Sequence, residues 1–220
     1  MKYELKVLMK GKTGMVGSKA NVHDFNGEVF RIGFGTDPHL GSKYTNPEHV
    51  NMMFDEFDKG GVDAVMLAGD ISEGLSNRAG HVYECTHIGY DAQKAHSIDV
   101  LSQWDKTPMY MIDGNHDRWY HKTNGALIVK DICEAIPNAV FLGHDEGDLV
   151  VNGCCIKMWH GEDSSSYAIS YRLQKLIESF SGGEKPHLLL CGHTHKMGYF
   201  QIRNVNCVSG GSIQQQSKWM

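Results

Sequence analysis

No apolar run in this 220-residue chain approaches the roughly 20 residues that a membrane span needs. The opening MKYELKVLMKGK alternates charged and apolar residues, so it lacks the unbroken apolar core of a signal peptide. The six cysteines (Cys85, Cys133, Cys154, Cys155, Cys191 and Cys207) include no C-x-x-C pair. That argues against a zinc ribbon or a thioredoxin-like motif. Cys154 and Cys155 are neighbours in an apolar strand and point to opposite faces, so they are poor partners for each other. All six are expected to be reduced, mostly buried thiols. The chain is thus expected to be soluble and cytoplasmic, with no membrane partner. Basic excess is also missing. A formal charge of -5 argues against a surface coated for nucleic acid. It leaves room for a local basic groove, or for a site whose metals supply the positive charge. There is no internal repeat and no low-complexity linker. Hydrophobic residues at 41% and charged residues at 21% are ordinary for a globular protein. One domain over 1–220 is expected, with 1–28 as an N-terminal β elaboration.

Along the chain, Lys2 to Lys10 alternate like an edge strand, and a Gly-rich stretch runs from Gly11 to Gly17. Val22 to Phe34 straddles Asn26-Gly27, which predicts a hairpin. Strands then alternate with helices. Val29 to Phe34 reads as a strand. Asn46-Pro47-Glu48 reads as a helix start: Val50, Met53, Phe54 and Phe57 follow at helical spacing and Gly60-Gly61 closes it. Val62 to Leu67 and Met109 to Ile112 predict strands. Asp91 to Trp104 and Ala126 to Ile136 predict helices. Val140 to Leu142, Leu149 to Val151 and Cys154 to Trp159 read as strands around a second Asn-Gly turn, Asn152-Gly153. The serines at 164–166 read as an N-cap cluster for a Tyr167–Phe180 helix, and His187 to Cys191 reads as a strand. Tyr199 to Val208 reads as a last hairpin. The alternation predicts a layered α/β fold.

Five short segments each end an apolar run with metal-binding side chains. They are Asp37-Pro38-His39, Gly69-Asp70, Gly114-Asn115-His116-Asp117, His160-Gly161 and Gly192-His193-Thr194-His195. In open α/β sheets, sites sit just past strand ends. Hydrolysis of a phosphate ester is helped by two cations about 3.5–4 Å apart, which clamp the phosphate and lower the pKa of a water. Such a pair needs a carboxylate able to bridge, with neutral imidazoles and an amide around it. The chain offers the carboxylates Asp37 and Asp70, the amide Asn115 and the imidazoles His39, His160, His193 and His195. His116 is left over for proton chemistry. A nitrogen and oxygen shell without sulfur suits Mn, Fe, Zn or Ni better than Ca or Mg.

In this ordered set the chain resembles the calcineurin-like metallophosphoesterases, whose signature runs D-x-H, G-D, G-N-H-[D/E], H and G-H-x-H. Asp37-Pro38-His39-Leu40-Gly41, with 165–168 and Gly211-Ser212-Ile213-Gln214, looks most similar to small archaeal and phage repair-exonuclease-like members. The resemblance implies a four-layer α/β/β/α sandwich with two mixed central sheets. It implies two divalent ions, Mn first, with Fe, Zn or Ni as alternatives. One ion would take Asp37, His39 and His195, and the other Asn115, His160 and His193; Asp70 would bridge. His116 would face the phosphate, and Asp117 would orient its ring. The activity implied is hydrolysis of a phosphodiester, in DNA or a nucleotide, by in-line attack of a metal-bridging hydroxide. A phosphomonoesterase or protein phosphatase is the rival enzyme. A non-catalytic assembly subunit of the same fold is the rival from another class, and the N-terminal hairpin could serve a dimer.

The loop from Ser72 to Tyr90 follows a candidate ligand and is long enough to be functional. Arg78 or His81 within it are the candidates for phosphate contact.

Overall fold

The structure, a computed structural model, describes residues 21–161, 168–181 and 183–217. The expected strand at Lys2–Lys10, the Gly-rich stretch after it and the serine cluster at 164–166 lie outside the described residues.

Four strands, β2 (Ile32–Gly35), β3 (Ala64–Ala68), β4 (Met109–Asp113) and β5 (Ala139–His144), form one sheet in the order β2-β3-β4-β5. Every pairing in it is parallel. Parallel neighbours need crossover connections. These are α1 (Pro47–Gly60), α2 (Tyr90–Leu101) and the pair α3 (Arg118–Asn124) and α4 (Ile128–Ala135). Helix α1 forms where the pattern predicts it. The Asn46 side chain accepts from the Glu48 N–H at 3.0 Å, and Gly61 ends the helix with φ of 57°. Its Val50 and Phe54 are buried. Helix α2 is harder to read because its buried face carries the polar Gln93 and Ser97. Gln93 is satisfied there: its Oε1 accepts from the Gly74 N–H at 2.8 Å and its Nε2 donates to the Gly74 carbonyl at 3.0 Å.

A strand buried on both faces should sort its side chains with period two. β3 does. Val65 and Leu67 join the core under the helices, while Ala64, Met66 and Ala68 join the core between the two sheets. Met109 and Met111 divide from Tyr110 and Ile112 in the same way on β4.

The second sheet holds β1 (Asn21–His23), β6 (Glu146–Val151), β7 (Cys154–Trp159), β8 (Leu188–Cys191), β9 (Met197–Ile202) and β10 (Val205–Gly210). Their order is β1-β6-β7-β8-β10-β9. The β6–β7 hairpin turns at Asn152-Gly153, whose φ values of 47° and 81° give the positive dihedrals a type I′ turn needs. Helix α5 (Tyr171–Ser179) covers the outer face and buries Leu173 and Ile177 against Trp159, Leu189 and Cys207. The result is an α/β/β/α sandwich. One sheet is mixed, as expected; the other is wholly parallel, because each of its connections is a helical crossover.

Two further expectations are corrected. Asn26-Gly27 makes no hairpin. β1 pairs with β6 and β2 with β3, so the two arms join different sheets. Phe25 and Phe30 meet edge to face at 5.0 Å and pack into the core between the sheets, which turns 24–31 into a crossing connection. Val29 is exposed, and β2 starts three residues later, at Ile32. Helix α3 was not anticipated: Arg118–Asn124 has no apolar period and buries only Tyr120. Among the described residues no helix is long and apolar enough to cross a membrane.

Candidate metal centre

Strands β2, β3 and β4 run parallel, as do β7 and β8, so their C-terminal ends open at one edge of the sandwich. Asp37 and His39 follow β2, Asp70 follows β3, and Asn115, His116 and Asp117 follow β4. His160 directly follows β7, and His193 and His195 follow β8. Two glycines permit the crowding. A Cβ on Gly114 would lie 2.2 Å from Asp70 Oδ1, and one on Gly192 would lie 2.1 Å from Thr36 Oγ1. Asp37, His39, Asp70, His193 and His195 all have positive φ, between 46° and 69°. Non-glycine residues rarely adopt that region, and it clusters at functional sites.

The side chains form overlapping groups of donors. Asp37, His39 and His195 make one, His39, Asp70 and His116 a second, and Asp70, His160 and His193 a third. In the first, His39 Nε2 and His195 Nε2 are 3.4 Å apart, and His195 Nε2 is 3.2 Å from Asp37 Oδ1. In the third, His160 Nε2 is 3.3 Å from Asp70 Oδ1 and 3.0 Å from Asn115 Oδ1, which in turn is 2.8 Å from His193 Nδ1. Asp70 lies between them, with its other oxygen 3.7 Å from His39 Nε2.

Proton accounting tests whether these residues suit a cation. The Nδ1 of His160 donates to the Ala68 carbonyl at 2.8 Å, since a carbonyl can only accept. Neutral His160 therefore turns a bare lone pair toward Asp70 Oδ1 and Asn115 Oδ1. Three acceptors converging within 3.3 Å are repulsive unless a positive charge stands among them. Ring titration shows the same demand. Burial opposes the charged forms, yet Glu73 and then Asp70 raise His39 to about 9, and Asp70 raises His160 to about 10. Donor atoms about 2.0–2.2 Å from one ion lie on the order of 3 Å from each other, which is the spacing found. The donor set fits divalent metals.

His116 stands apart in character. Burial holds its ring down, to about 4, against the pull of Asp70. Its Nδ1 donates to the Glu73 carbonyl at 2.8 Å, leaving Nε2 for the cleft. The expected orienting role of Asp117 is corrected by this contact. Asp117 accepts instead from the Ile71, Ser72 and Gly114 N–H groups at 3.0, 2.8 and 2.9 Å and from the Ser72 hydroxyl at 2.7 Å. It ties the loop after β3 to the loop after β4.

The structure parts the two candidates for phosphate contact. Arg78 lines the cleft and pairs with Glu84. His81 is buried, and both its ring nitrogens are engaged, by the Ser76 N–H at 3.0 Å and by Glu73 Oε1 at 2.9 Å. It has no nitrogen left for phosphate. The residue that sequence reasoning missed is Glu73, buried beside His39, His81 and His116. Its spacing, three residues after Asp70, is the one signal that could have marked it. The cleft over these residues measures about 1150 Å³, and Trp119, Arg172 and Lys196 also line it. Trp119 packs on His116, with ring centroids 4.0 Å apart.

The sequence profile of the calcineurin-like phosphoesterase superfamily domain matches residues 30–219. No curated protein matches the sequence significantly. Among solved structures, an archaeal phosphodiesterase is similar at 17% identity and a TM-score of 0.52, over 83% of this chain and 84% of its own. The phosphoesterase Yfce from E. coli is similar at 14% identity and a TM-score of 0.50, over 86% and 83% of the two chains. A hypothetical protein of Pyrococcus horikoshii OT3 is similar at 10% identity and a TM-score of 0.50, over 84% and 77%. At these identities the likeness is one of fold.

Proposed function

The chain belongs to the calcineurin-like phosphoesterase superfamily, and from that premise we propose that it is a dinuclear metal-dependent phosphodiesterase. One ion would be held by Asp37, His39 and His195 and the other by Asn115, His160 and His193, with Asp70 shared. The observation that carries this reading is the placing of Asp70, which turns one oxygen toward each group, 3.7 Å from His39 Nε2 and 3.3 Å from His160 Nε2. Mn is the first choice of metal, with Fe, Zn and Ni next, since the donors are nitrogen and oxygen without sulfur.

Bound there, the ions would screen the phosphate's charge and lower the pKa of an attacking water. The chain does the rest. Asp117 fixes the two loops against each other through its four accepted hydrogen bonds. The Glu73 carbonyl aims His116, whose Nε2 carries the proton exchanged with the leaving oxygen. Arg78, Arg172 and Lys196 line the cleft and supply positive charge for a substrate anion. A diester is favoured over a monoester because the cleft is far larger than a phosphate needs. A nucleotide or a nucleic-acid end is the substrate class proposed. The archaeal phosphodiesterase of like fold adds support. All six cysteines are free thiols, which supports a reducing, cytoplasmic compartment.

The test is turnover of bis-p-nitrophenyl phosphate by protein reconstituted with Mn, run beside the monoester. Diester turnover that exceeds monoester turnover is expected. A faster monoester makes the protein a phosphomonoesterase, and no turnover with Mn, Fe, Zn or Ni overturns the enzyme reading.

A further inference from the structure

Among the described residues, His39 is the imidazole of the centre whose outer nitrogen faces a buried carboxylate. Its Nδ1 lies 3.1 Å from Glu73 Oε2, and neither atom has a hydrogen-bond partner in ideal geometry. The other oxygen of Glu73 takes the Nε2 proton of His81 at 2.9 Å. That proton's place is dictated from behind. The Ser76 N–H donates to His81 Nδ1 at 3.0 Å, so Nδ1 must be the acceptor and Nε2 must carry the hydrogen. Glu73 is clamped on both sides of its backbone as well, Ser72 by Asp117 and Gly74 by Gln93.

We propose that Glu73, backed by His81, is a positioning residue: it accepts the Nδ1 proton of His39 and so presents the His39 Nε2 lone pair to a cation. This rests on the metal-centre reading above. Donation converges on Glu73, from the Ser76 N–H through His81 Nε2–H on one side and from His39 Nδ1–H on the other. A carboxylate suits that place because it only accepts, and must accept from both sides. An amide there must donate with one atom. Glu73→Gln would set its NH₂ either against His39 Nδ1, which forces the ring proton onto Nε2, or against His81 Nε2, whose hydrogen already points at it. The first outcome removes a metal donor. Outer partners of metal-bound histidines act in this manner and are worth roughly 10–100-fold in metal affinity.

The test uses the full chain stripped of metal and titrated with Zn, a diamagnetic probe, in a calorimeter. Wild type is expected to take two ions. Glu73→Gln is expected to lose roughly 10–100-fold in affinity for one ion and to keep the other. Long-range ¹H–¹⁵N NMR of the Zn-loaded wild type is expected to show His39 protonated at Nδ1 and bare at Nε2, a reading that needs no variant to fold. A proton on His39 Nε2 overturns the proposal. So does Glu73→Gln with both affinities unchanged, or with equal losses at both ions. A wild type that takes up no metal overturns the metal-centre reading and this inference together, whereas two ions with an indifferent Glu73 overturn this inference alone.

Discussion

His160 and His39 stand on opposite sides of Asp70, and they are held by different means. His160 is aimed by the Ala68 carbonyl, the last residue of β3, deep between the sheets. No side-chain replacement at Ala68 removes that acceptor. His39 Nδ1 faces the Glu73 carboxylate at 3.1 Å, on a loop, with His81 behind it. One half of the centre is thus built from core backbone, and the other from side chains that single substitutions can change. A fully buried strand fixes one imidazole, and a loop carries the partner of the other.

The residue common to both halves should show the largest effect. Asp70→Ala is expected to bring turnover of bis-p-nitrophenyl phosphate to background, with fewer than two ions per chain by elemental analysis. Two ions retained would mean that the halves do not share a carboxylate. His116→Ala should lower kcat by roughly 10²–10⁴-fold, the usual worth of acid–base help, with metal content unchanged. Loss of both ions would instead make His116 a ligand. On the backbone-built half the weak point is packing. Gly114→Ala drives a Cβ to 2.2 Å from Asp70 Oδ1, and urea unfolding should show a loss of about 1–3 kcal/mol. Metal removal sharpens the contrast. Under a graded chelator Glu73→Gln should release the ion on the His39 side at roughly tenfold lower chelator than wild type, the loss expected when an outer partner is removed. A single concerted loss would break the comparison. Thr36→Val is the mildest change. It deletes a hydroxyl that donates to Asp37 Oδ2 at 2.5 Å and should cost about 1 kcal/mol in thermal unfolding.

What the sequence disclosed follows from the same division. Donors that end apolar strands can be read because a strand is recognisable and its next residue is then placed. Asp37, Asp70, Asn115, His160 and His193 are all of this kind, and the structure brings them to one edge. Glu73 and His81 could not be placed, because their meeting depends on the path of the loop from Ser72 to Gly89, which Gln93 and Asp117 pin from elsewhere. The layered fold was readable from alternating strands and helices. The Asn26-Gly27 hairpin was misread because turn chemistry is local, while the choice between pairing with β1 and pairing with β3 is made by burial between the sheets. Helix α3 escaped notice because it follows Asp117 for reasons of tether rather than of periodicity.

The left-handed backbone at positions 37, 39, 70, 193 and 195 carries a consequence for descent. Each such residue holds a conformation that glycine would occupy with less strain, by about 1 kcal/mol. Asp37 and Asp70 offset that strain by accepting from the His193 and His116 N–H groups. A lineage released from catalysis should therefore drift to glycine first at positions 39, 193 and 195.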